Sequence, residues 1–119
     1  MKNLINSVLL VVLLTGCSTV QKYWPRPHDP ALARSFVSTK IGIERIECSD
    51  KEDWAEVEYE ARFLKEYAEF RDDPQKENTV AIVENLKKAK DTSSIKACDI
   101  WLNLAKQRLV VLNKAWSGR

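Results

Sequence analysis

Apolar residues recur every three or four positions through most of the chain from residue 29 onward, with polar residues between them. This spacing places the apolar side chains on one side of an α-helix, and it predicts four amphipathic helices. Short connections between them, and the lack of strand-like alternation, predict an all-α, up-down antiparallel four-helix bundle over residues 29–119. The last helix has the clearest apolar side, made of Cys98, Leu102, Ala105, Leu109, Leu112 and Trp116.

Helix starts are indicated by three short motifs. Asp29-Pro30 and Asp73-Pro74 each join an N-cap acceptor to a proline, which has no amide hydrogen to lose at the first helical position. Ser49-Asp50-Lys51-Glu52 has the spacing of a capping box, so the second helix is expected to begin there. The first helix is expected to run to about Glu47.

The inner sides of the first three helices are also regular. The first is expected to bury Ala33, Phe36, Ile43 and Ile46, with Val37 and Ile41 beside them. The second is expected to bury Trp54, Val57, Ala61, Leu64 and Ala68, with Phe63, Tyr67 and Phe70 widening that side. The third is expected to bury Thr79, Ile82, Val83, Leu86 and Ala89.

The start of the chain has a different pattern. Lys2 precedes an unbroken apolar run from Val8 to Leu14, and the sequence Leu14-Thr15-Gly16-Cys17 follows. The run is much shorter than the roughly 20 apolar residues that cross a bilayer, so it predicts a cleaved signal peptide. Its last four residues resemble the lipobox of bacterial lipoprotein precursors, which is an aliphatic residue, a small or β-branched one, Gly or Ala, and Cys.

That resemblance implies a signal peptide over residues 1–16 and a diacylglyceryl group and an N-acyl chain on Cys17, and no other cofactor is expected. The polar stretch that follows, with Pro25, Pro27 and Pro30 close together, predicts an extended tether over 17–28, and the bundle is expected over 29–119. Ser18, where an inner-membrane lipoprotein carries Asp, implies the periplasmic face of the outer membrane in a Gram-negative host. Tyr23 and Trp24 suit either the headgroup layer or packing against the bundle, and both interpretations stay open.

Two cysteines remain once Cys17 carries lipid. Cys48 follows the first helix and Cys98 begins the fourth, and alternating helix directions bring both to one end of the bundle. In an oxidising compartment they are expected to form a disulfide that closes a loop of 51 residues, counted inclusively. The alternative is a pair of unbonded buried thiols.

No catalytic or cofactor-binding motif accompanies these features. His28 is the one histidine and lies beside prolines, and the sequence has no Gly-rich phosphate loop, nucleophile elbow or Cys-x-x-Cys. The acidic residues of the second helix fit a solvated helix side better than the oxygen cage that calcium requires. The sequence therefore predicts a protein that is not an enzyme and holds no metal.

Charge is distributed unevenly along the chain. Residues 44–73 hold twelve acidic and five basic side chains, a net of −7, whereas residues 85–119 hold eight basic and two acidic, a net of +6. Either the acidic and basic helices lie side by side and attract each other, or the basic residues face an acidic partner or phospholipid headgroups. The possible partner surface comprises Tyr59, Trp101, Lys87, Lys88, Lys90, Lys106, Arg108 and Lys114.

Three functions are consistent with this pattern. The leading hypothesis is a membrane-anchored periplasmic module that binds another envelope protein. The whole chain has a formal charge of only +2, which argues against nucleic acid as a partner. The second is a phage- or prophage-encoded outer-membrane lipoprotein in lysis or superinfection exclusion, similar to the outer-membrane subunit of spanin complexes in organisation alone. The third is a small-ligand carrier with a cavity between the helices.

Overall fold

The computed structural model describes residues 29–117, which form a bundle of four α-helices. The helices are α1 (Pro30–Arg45), α2 (Trp54–Phe70), α3 (Lys76–Asp91) and α4 (Ile95–Trp116). The expected all-α four-helix bundle is confirmed. The signal peptide, Cys17, the tether and His28 lie outside the described residues.

The helices form a closed ring in which each packs against the next, and α1 packs against α4. The acidic helix α2 and the basic helix α4 lie diagonally across the described bundle and make no backbone contact. These two helices therefore do not attract each other side by side. The basic residues at the end of α3 do lie beside α2, where Lys90 Nζ is 3.1 Å from Glu58 Oε2, so the expected attraction holds for that part of the basic segment.

The core follows the predicted seams of the later helices closely. All five expected residues of α2 are buried, and so are five of the six expected on α4, with Trp116 partly buried against the core. In α1, Phe36 and Ile43 are buried as expected, and so is Ile46 directly after the helix, whereas Ala33 is only partly buried. The other buried residues of α1 include Leu32, Thr39 and Gly42. Gly42 lies against α2, because a Cβ built on it would meet Val57 Cγ2 at 3.1 Å.

Four apolar residues expected beside the core are exposed instead. Val37 and Ile41 project outward from α1, and Phe63 and Phe70 project outward from α2. Each helix of a four-helix bundle needs only a narrow apolar stripe to fill the core, because it contacts only its two neighbouring helices. Apolar residues beyond that stripe therefore reach solvent.

One end of the bundle, here called the disulfide end, is held by several long-range contacts. Cys48 and Cys98 form the expected disulfide, with their Cα atoms 5.9 Å apart. The fully buried indole of Trp54 donates to the carbonyl oxygens of Glu47 and Asp50, each at 3.1 Å. These contacts fix the α1–α2 connection against the start of α4.

Lys51 completes the disulfide end. Its ammonium donates to the carbonyl oxygens of Ala89, Lys90 and Thr92 at 2.9, 3.1 and 2.7 Å. These are carbonyls at the end of α3, which have no partner within the helix and carry its negative dipole end. A cation from a distant connection thus caps α3.

The opposite end, here called the Asp29 end, contains a polar network. The Asp29 carboxylate accepts from the amides of Ala31 and Leu32, from the Tyr67 hydroxyl at 2.9 Å and from Arg71 at 2.9 Å. Desolvation raises the pKa of this carboxyl, but the hydrogen bonds and the charge of Arg71 outweigh it and hold the pKa below its ordinary value of 3.8. The hydrogen bond to Asp29 raises the pKa of Tyr67.

Two of the predicted helix starts need correction. Ser49 and Glu52 form no capping box, because the Glu52 amide donates to Asp50 Oδ1 and α2 begins later, at Trp54. Asp73-Pro74 precedes a turn, and α3 begins at Lys76. Asp73 Oδ1 accepts from the Gln75 amide and also from the Trp116 indole at 3.1 Å, so it joins the α2–α3 connection to the end of α4.

Candidate interaction surfaces

The eight residues predicted as a partner surface do not come together. Lys88 lies 4.5 Å from the ring centroid of the partly buried Trp101, at the edge between α3 and α4. Arg108 donates to Asn78 at the same edge. Lys87 and Lys90 instead line a groove between α2 and α3.

The remaining members of that set also lie apart. Tyr59 is exposed on α2, whereas Lys106 and Lys114 are on α4, the helix diagonally opposite. Trp101 serves mainly to cover the core, and its cation–π contact with Lys88 joins α3 to α4. The eight residues therefore do not share one side of the bundle, and binding of a partner by any of them stays a prediction.

The outer side of α2 carries an aromatic row. It consists of Tyr59, Phe63 and Phe70, whose exposed fractions range from 47 to 84%. Glu56 and Glu66 accompany this α2 row and are well exposed, with Glu56 4.0 Å from Arg45 and Glu66 3.2 Å from Lys65. Phe63 and Phe70 flank the ring of Tyr67, yet much of their surface faces solvent, and large aromatic side chains are enriched at protein interfaces.

The outer side of α4 carries a second apolar row, which the sequence analysis did not identify. It consists of Ile100, Leu104 and Val111, whose exposed fractions range from 37 to 56%. The signal was present as apolar residues outside the Cys98–Leu112 seam. Lys96, Arg108 and Lys114 accompany this α4 row, and within residues 29–117 none of them has a carboxylate within 4.0 Å.

A groove of about 400 Å³ runs between α2 and α3. Its floor is apolar, and Arg62, Lys87 and Lys90 stand at its rim. Glu58 also lines it, with Oε2 at 3.1 Å from Lys90 Nζ and with Oε1 buried and lacking a donor among the described residues. The groove thus offers cationic groups and one unsatisfied acceptor beside an apolar wall.

Within residues 29–117, no group of three or more His, Cys, Asp or Glu side chains lies close enough together to hold a metal ion. None of the four described helices combines the length and apolar character needed to cross a membrane.

Comparison with known proteins gives no family assignment. No protein-family model, curated protein or solved structure matches the chain.

Proposed function

We propose that the protein is a lipid-anchored module of the bacterial cell envelope that acts by binding another protein and not by catalysis. One observation carries the proposal. The chain has three cysteines, and the bundle pairs Cys48 with Cys98, which leaves Cys17 directly after Leu14-Thr15-Gly16. A disulfide that ties the α1–α2 connection to α4 supports an oxidising compartment, and the third cysteine, at the end of a signal-like segment, supports lipidation there.

The position of Asp29 gives the bundle a membrane-facing end in this proposal. Residues 17–28 are twelve residues, a length that spans at most about 40 Å. The Asp29 end would lie nearest the bilayer, and the disulfide end would point away from it. The α2 row and the α4 row then stand on the sides of the bundle, accessible to neighbouring proteins.

The first test concerns the anchor. Cys17→Ser should move the protein from the membrane fraction to the soluble periplasmic fraction, because the replacement removes the acylation site. Mass spectrometry of the wild-type protein should show a chain that begins at Cys17 and carries acyl groups. Cys48→Ala with Cys98→Ala is the matched control and should leave the protein in the membrane fraction. An unmodified Cys17 in the wild type would refute the proposal.

The groove between α2 and α3 favours a second candidate, a carrier for a small molecule. Its volume of about 400 Å³ falls within the usual range of ligand sites. The ligand would have an apolar body, an anionic group for Arg62 and Lys87, and a hydrogen-bond donor for Glu58. Arg62→Glu with Lys87→Glu should remove a co-purifying molecule seen by native mass spectrometry, whereas Lys114→Glu should retain it. Wild-type protein with no bound molecule would exclude the carrier.

A further inference from the structure

The two exposed apolar rows have the same spacing. In each row, the second residue lies four positions after the first residue, and the third residue lies eleven positions after the first. At a rise of about 1.5 Å per residue, each row extends about 16 Å along its helix. Two ridges of equal length and equal register can therefore face each other along their whole length.

The rows also lie at the same height in the bundle. Both α2 and α4 begin at the disulfide end, and both run toward the Asp29 end. Tyr59 lies five residues after Trp54, the first residue of α2, and Ile100 lies five residues after Ile95, the first residue of α4. A second copy shifted sideways, with no change of tilt, therefore presents its α4 row level with the α2 row of the first.

Charges beside the rows match in sign and in height. Glu56 is two residues after the start of α2, and Lys96 is one residue after the start of α4. Glu66 is twelve residues after the start of α2, and Arg108 is thirteen after the start of α4. When an α2 row faces an α4 row, Glu56 therefore lies near Lys96 and Glu66 lies near Arg108, so that carboxylates meet cations at two heights along the interface.

We propose that the protein associates with further copies of itself, with the α2 row of one copy packed against the α4 row of the next. The proposal rests on the proposed lipid anchor, which would hold all copies in one orientation and so keep α2 and α4 of neighbours parallel. Because the rows are on diagonally opposite helices, each copy keeps one row free after the other is covered. Such a head-to-tail interface does not close at two copies and gives a row of molecules along the membrane.

A symmetric pair of copies joined through their α2 rows fits the charges less well. That arrangement would bring Glu56 and Glu66 of one copy toward the same acidic side chains of the other, and like charges across an interface are unfavourable. The same objection applies to two α4 rows, which are both basic. Only the pairing of an α2 row with an α4 row buries the apolar residues and also places opposite charges next to each other.

Cysteine crosslinking in the native membrane tests the proposal. Phe63 and Leu104 both lie nine residues after the start of their helices. Full-length lipidated protein with both Phe63→Cys and Leu104→Cys should form a ladder of dimers, trimers and larger species on mild oxidation. A mixture of the two single variants should form dimers and no larger species. Val37→Cys with Leu104→Cys is the matched control and should give no ladder, because Val37 is exposed on α1.

Three outcomes separate the possibilities. No ladder from the Phe63→Cys and Leu104→Cys variant refutes the self-association. Strong dimers from Phe63→Cys alone also refute it, in favour of a symmetric pair. A ladder that is lost in Glu56→Lys with Glu66→Lys and regained when Lys96→Glu with Arg108→Glu is added supports the proposed charge pairing. Fractionation of Cys17→Ser reports on the anchor separately, so failure of either proposal is recognisable.

Discussion

Removal of the disulfide should cost the bundle a large part of its stability. Cys48 and Cys98 are 50 positions apart, so the bond closes a loop of 51 residues. In the chain-entropy model, the constraint on the unfolded chain is worth about 4 kcal/mol at 25 °C. A domain of this size has a total unfolding free energy on the order of 5–10 kcal/mol, so this bond supplies about half of the margin.

The best variant replaces both cysteines with alanine. Both side chains are buried, and serine at either position would place a hydroxyl in an apolar site. Urea unfolding followed by circular dichroism should give a free energy of unfolding lower by about 4 kcal/mol. Reduction of the disulfide in the wild type breaks the bond but keeps both sulfur atoms in the core. A similar loss of unfolding free energy in the reduced protein would therefore come from opening the loop and not from a cavity. A loss below about 1 kcal/mol in both experiments would refute the loop argument.

Three further changes test other contacts. Trp54→Phe leaves two carbonyl oxygens without their indole donor and should lower the free energy of unfolding by about 2–3 kcal/mol. Tyr59→Phe, at an exposed position of the same helix, should stay within about 0.5 kcal/mol by the same urea assay. Asp29→Asn keeps a helix cap but loses the charge, so it should cost about 1 kcal/mol at neutral pH. Since the pKa of Asp29 is lowered by folding, this cost should be present above about pH 4 and should disappear on acid titration as the wild-type carboxyl protonates. Gly42→Ala should lower the free energy of unfolding by about 1 kcal/mol, because the new methyl group overpacks against the stiff Val57 side chain by more than the gain in helix propensity. In a Val57→Ala background, the same Gly42→Ala change should raise the melting temperature.

The sequence predicted the parts of the fold that depend on local periodicity. The α2 and α4 seams and the cap at Asp29 follow from residues within one helix, and the structure confirms them. The disulfide was predictable because alternating helix directions determine which ends meet. In each case, a short stretch of chain or the topology alone was sufficient.

The missed features depend on contacts between distant segments. Lys51 caps α3 across 38 to 41 positions of sequence, and Trp116 reaches Asp73 across 43. Nothing in the local sequence Ser49-Asp50-Lys51-Glu52 indicates that the Lys51 ammonium binds carbonyl oxygens at the end of α3. Local signals at both predicted starts were therefore overridden by tertiary hydrogen bonds.

The same reasoning explains why the candidate surfaces were hard to predict. Phe63 and Phe70 were assigned to the core because they are apolar, yet the α2 seam is complete without them. The charge pattern is equally indirect, because α2 and α4 are diagonal and only the basic end of α3 lies beside α2. The exposed ion pairs of Glu56 with Arg45 and of Glu66 with Lys65 are of the weak, solvated kind, so these carboxylates and the exposed apolar rows remain available to a second molecule. On this ground a partner for both rows is expected.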